Sequence, residues 1–146
     1  MADTRIQVEV EDWVCREWMP NTFGQKFHRE RLRLSSGGIF DFDAVSEDSK
    51  IVATISTSGS KTASGKNASG KVFKIRSDMF FLLLVPGIQR RIVVLTENDM
   101  VELCRKERED GRVPNSIEFF HAEIPEALRT RLRNARGVAS KEVSPK

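Results

Sequence analysis

The sequence predicts one α/β domain built on a mixed sheet, and three observations carry that expectation. Alternating segments at "RERLRLSS", "IFDFDAV" and "KIVATIST" are separated only by tight turns, the pattern of a three-strand meander. A nearly continuous apolar run, "RRIVVLT", suits a strand covered on both faces. Around these lie stretches whose apolar residues recur at helical spacing. The chain of 146 residues, 39% apolar, can bury one core. No repeat or linker divides it, so the domain is expected to fill 1–136, with 137–146 a flexible polar tail.

Val10, Trp13, Val14 and Trp18 make the first amphipathic helix, with both tryptophans toward the core, and Pro20-Asn21 is expected to stop it. The first strand follows, and Gly37-Gly38 supplies its turn. In the second strand, strict alternation puts Ile39, Asp41, Asp43 and Val45 on one face and Phe40, Phe42 and Ala44 on the other. "SEDS" turns the chain into a third strand rich in β-branched residues. A helix is expected from about Lys71 to Val85, then the "RRIVVLT" strand. Thr96 could cap the next helix, which stops at Gly111. "SIEFFHAEI" is a last strand, and Pro125 opens a final helix to about Arg136.

Net charge is only +3, but it is unevenly placed. Residues 57–76 hold Lys61, Lys66, Lys71, Lys74 and Arg76 with no acid, and Arg129, Arg131, Arg133 and Arg136 crowd the last helix. Such patches attract polyanions, or they are ordinary solvated surface. No run reaches the roughly 20 apolar residues of a membrane span, and "MADTRIQVEVED" carries acids where a secretory leader needs apolar residues. A cytoplasmic protein without membrane association is therefore expected. Cys15 and Cys104 are far apart and read as two buried thiols. His28 and His121 read as structural.

The stretch Gly65-Lys66-Asn67-Ala68-Ser69-Gly70-Lys71 spells the phosphate-binding pattern G-x-x-x-x-G-K between a strand and a helix. The residue after that lysine, where magnesium needs a hydroxyl, is Val72. This argues against nucleotide hydrolysis. It leaves a glycine-serine-lysine loop able to grip phosphate through amides and charge.

From residue 8 to 96 the order helix, hairpin, "FDFDAV", turn, "IVATIST", helix, strand resembles the restriction-endonuclease-like PD-(D/E)XK nuclease superfamily. The resemblance implies a magnesium-dependent phosphodiesterase site. Asp43 or Asp41 would match the second-strand aspartate, and both are candidate metal ligands. The third-strand acid and lysine are missing here, since that position reads Thr54-Ile55-Ser56. Two features of the superfamily offer replacements: a lysine moved to the following helix, matched by Lys74, and a first-helix acid, matched by Glu17. The resemblance thus implies a degenerate or atypical nuclease with Asp43, Lys74 and Glu17 at its centre. Nucleic acid, DNA before RNA, would lie on Lys61, Lys66, Lys71, Arg129 and Arg133, and a homodimer is allowed. The competing classes are a non-catalytic assembly module and a phosphate- or nucleotide-binding protein using the 59–71 loop.

Overall fold

In the computed structural model the described residues are 5–61 and 65–143, with side chains described up to Arg136. Helix α1 (Arg5–Trp13), one π-helical turn (Val14–Trp18) and α2 (Met19–Phe23) form a continuous helical arm. Pro20 does not end it. The Met19 N–H donates to the Val14 carbonyl, five residues back, so the turn before the proline is wide. A proline lacks the N–H of a normal helical bond and its ring crowds the carbonyl four residues earlier; a widened turn relieves that crowding. The arm ends at Gly24, in the left-handed region at φ 76°. Trp13 and Trp18 pack against the core as the periodicity predicts.

Strands β1 (Phe27–Arg33), β2 (Ile39–Ser46) and β3 (Ile51–Ser56) form the expected antiparallel meander. Helix α3 (Ser69–Leu83) then crosses to β4 (Arg90–Leu95), parallel to β3, and α4 (Asn98–Glu109) crosses to β5 (Ile117–His121), parallel to β4. The result is one five-stranded mixed sheet in the order β1-β2-β3-β4-β5. Its two faces follow from the period-two pattern of the central strands. Ile51, Ala53, Ile55, Ile92 and Val94 join Val10, Val14 and Leu132 in one cluster, under α1 and the final helix α5 (Glu126–Val143). Val52, Val93 and Leu95 join Ile75, Leu82 and Met100 in the other, under α3 and α4. Each fully buried aliphatic chain there contributes about 1.5–3 kcal/mol.

Three further sequence expectations fail locally. Helix α5 runs on to Val143 instead of ending near Arg136, since no proline stands between Pro125 and Pro145 and one glycine alone does not break a helix; residues 144–146 of the expected tail lie outside the described residues. Thr96 does not cap α4: it is fully buried, and its hydroxyl donates to Glu97 Oε2 at 2.9 Å. The third failure is in β2. His28 pairs with Val45 and Glu30 with Phe42, so Asp43 and Ala44 together stand opposite the single Arg29. This bulge inverts the alternation. Phe42 and Val45, three residues apart, both face α3, while Ala44 faces α1. It is Val45 that leaves the face it was expected to share with Asp41 and Asp43, while Asp43 and Ala44 both turn to the α1 side.

Candidate functional site

The ladder between β2 and β3 is paired at Ala44↔Ala53 and Val45↔Val52. One residue further, β2 turns away at the bulge. The Ile55 N–H finds no strand partner there and instead donates to Asp43 Oδ2 at 2.8 Å. The parted strands open a cleft of about 1010 Å³ between α1 and α3. Glu11 and Gln7 enter from α1, Asp43 from β2, Ser56 from the end of β3, and Lys74 and Asp78 from α3. A second cleft of about 310 Å³, beside β1, meets the first at Glu11 and Asp43.

Charge is poorly balanced at that junction. Burial, followed by the nearby Asp43 carboxylate, pushes Glu11 up to about 7 from an ordinary 4.5. Asp43 is likewise raised, first by burial, with the Ile55 amide pulling the other way. Asp78 is raised by burial and partly restored by Lys74, whose Nζ lies 2.7 Å from Asp78 Oδ1. Among the described residues no group of three or more His, Cys, Asp or Glu side chains could hold a metal ion. Magnesium ordinarily takes only one or two protein carboxylates, with water and phosphate completing its shell. Glu11 and Asp43 fit that donor set in kind, being hard oxygen ligands whose repulsion a divalent cation would relieve.

The far wall of the cleft is the start of α3. Asn67, Ser69, Gly70 and Lys71 line it, and Lys71 is exposed. The loop before it is tied down at its base. The Ser60 N–H and hydroxyl both donate to Asp99 Oδ2 at 3.0 Å. Gly59 lies so close that an added Cβ would stand 3.2 Å from that carboxylate, which explains the glycine. Lys61 donates to Asn67 Oδ1 at 3.0 Å. Residues 62–64 of the loop lie outside the described residues. Val72 packs half-buried against the α3-side core, where a phosphate-loop protein would need a hydroxyl.

The structure thus brings Asp43 and Lys74 to one cleft and places other candidates elsewhere. Glu17 is exposed in the π turn and lines neither cleft; Glu11, nearly two turns earlier, occupies the position sought for it. The signal was available: Glu11 lies inside the expected Val10–Trp18 helix, and with Gln7 it flanks the apolar stripe Ile6, Val10, Val14 at i,i+4 spacing, whereas Glu17 stands at the far end of that helix. Asp41 faces Arg29, which grips both its oxygens at 3.1 Å and holds its carboxyl below the usual range. It is not directed at the cleft. Thr54, at the third-strand acid position, is buried with its hydroxyl unpartnered among the described residues.

The basic tail divides. Arg129 points inward, 13% exposed, to Glu97, Glu123 and the Thr96 carbonyl, and so is withdrawn from any surface patch. Arg131 pairs with Glu9 and Arg136 with Glu97. Arg133 is exposed but lines neither cleft. Cys15 and Cys104 are free, buried thiols, both pushed up to about 11 by burial. No helix among the described residues is long and apolar enough to cross a membrane. Comparison with known protein families, curated proteins and solved structures gives no significant match.

Proposed function

We propose that this chain is a nucleic-acid-binding domain of restriction-endonuclease-like architecture whose nuclease site is degenerate. The observation that carries this reading is the convergence of Glu11, Asp43 and Lys74, from three different elements, on the cleft where β2 and β3 part. Across that cleft, the first amides of α3 and the Lys71 ammonium offer donors to a phosphodiester. Asp78 accepts from Lys74 and holds it along the wall, where the ammonium can donate to a phosphate oxygen. Glu11 and Asp43 would hold magnesium, which when bound supplies Lewis-acid polarisation of the phosphate. Thr54 and Ser56 bring neither a third carboxylate nor a lysine to the end of β3. Binding is therefore expected to outlast cleavage.

The reading is tested with purified protein and labelled DNA. Affinity should fall steeply with salt, and replacing Lys61, Lys66 and Lys71 together by alanine should reduce the salt slope by about one for each lysine that meets a phosphate. Magnesium-dependent cleavage should be slow and should vanish in Asp43→Ala and Lys74→Ala. Affinity unmoved by the triple change would return the loop to solvated surface. Failure to bind any polyanion would leave the assembly module.

A further inference from the structure

A second groove leads away from the cleft over the start of α3. It is about 390 Å³ and shares Asn67, Ala68 and Ser69 with the first. Phe73, 61% exposed, lines it together with Lys61 and Arg76. An exposed phenylalanine on a well-formed helix costs apolar hydration, and here it has a cation for company: the Arg76 guanidinium stands 5.7 Å from the ring centroid. The groove's acid, Glu107, is answered by both Arg76 and Arg112. Cations beside an open aromatic face suit a nucleobase and its phosphate.

The same helix exposes Phe80 and Leu83, which raises a protein partner as the competing occupant. The spacing argues against it. Phe80 lies seven residues from Phe73, about 10 Å along the axis. The positions between them on that face, Arg76 and Ser77, are both exposed and polar. A helix that docks through a continuous apolar stripe carries apolar side chains at those positions, and this one does not. Phe73 is an isolated ring in a basic groove that is continuous with the cleft.

We infer that Phe73 is a stacking platform for an unpaired base, and that the groove from the cleft to Phe73 selects single-stranded over double-stranded nucleic acid. This rests on the nucleic-acid reading above. A base can lie flat on the ring only when its stacked neighbour in a duplex is absent, whereas the lysines would grip the phosphates of either form.

The test uses the full chain, a fluorescein-labelled twelve-residue oligothymidine and a duplex of the same length, followed by anisotropy across a salt series. Phe73→Ala should weaken single-strand binding about tenfold with an unchanged salt slope, leaving duplex binding nearly as it was. Phe73→Trp should retain the affinity, and Phe80→Ala, outside the groove, should be neutral. A 2-aminopurine placed in the single strand should be quenched by the native chain and not by Phe73→Ala. If Phe73→Ala leaves single-strand affinity intact, or lowers both forms equally, stacking is overturned while lysine-dependent binding still upholds the broader reading. If no oligonucleotide binds, both fall. A sedimentation coefficient that depends on concentration in the native chain and not in Phe73→Ala would make the ring a contact between copies and overturn the inference.

Discussion

Two groups of acids sit near the same end of the sheet, where β3 and β4 finish side by side, and are treated in opposite ways. Beyond the ends of β4 and β5, Glu97 is 11% exposed and held by two guanidiniums, Arg136 at 2.9 Å and Arg129 at 3.6 Å, with the Thr96 hydroxyl as a third partner. At the parting of β2 and β3, Glu11 and Asp43 share burial with each other, and the lysine in reach already answers Asp78. The first cluster fastens α5 and α4 to the sheet. The second is a charge imbalance that folding tolerates and that an arriving cation would resolve. Compensated acids mark structure, and uncompensated ones mark where something else is meant to come.

The largest consequence of that difference should appear on deleting Glu97. Glu97→Ala leaves two guanidiniums with only the exposed Glu123, 3.9 Å from Arg129, as an anion, and should cost about 3 kcal/mol in urea unfolding. A loss under about 1 kcal/mol would mean the network is a surface ornament and the contrast is false.

Next in size is a pH effect at Glu11. Between about 4.5 and about 7 the unfolded chain has released this proton while the folded chain still holds it. Stability from this group therefore falls as pH rises through that window and levels off above it, by an amount on the order of 2 kcal/mol. Glu11→Gln should match the native protein near pH 4 and exceed it at pH 8, as read from denaturant midpoints at both values. Equal midpoints at pH 8 would show that Glu11 carries no strain.

The smallest effect is the most telling. Asp43→Asn keeps an oxygen to accept the Ile55 N–H and removes the charge, so stability should rise by about 1 kcal/mol while any magnesium-induced rise in Tm disappears. A variant that is destabilised, or that still responds to magnesium, would place Asp43 among the structural acids.

The meander and crossovers were legible because side-chain periodicity records which residues face a core, and the core strands obey it from Ile51 to Leu95. Asp43 and Lys74 were legible as positions on a strand and a helix. Their setting was not. A bulge leaves no mark in composition, so strict alternation placed Asp41 beside Asp43 when Arg29 in fact holds it outward. Arg129 and Glu97 lie on different elements, and their pairing exists only once α5 packs against the sheet. Local pattern cannot show such a pairing, so a structural cation looked like a surface one. Glu11 lay inside the expected helix, but spacing along the apolar stripe does not say which of its acids, Glu11 or Glu17, meets the bulge in β2.

The bulge in β2 also says how such a site can come and go. Opposite Arg29 the strand needs one residue and has two, so one of the pair Asp43 and Ala44 is surplus to the ladder. Removing Asp43 would restore unbroken pairing from Phe27 to Arg33 and carry Phe42 into continuous alternation with Ala44. A single codon thus separates a second strand that opens the cleft from one that closes against β3, with the rest of the sheet untouched.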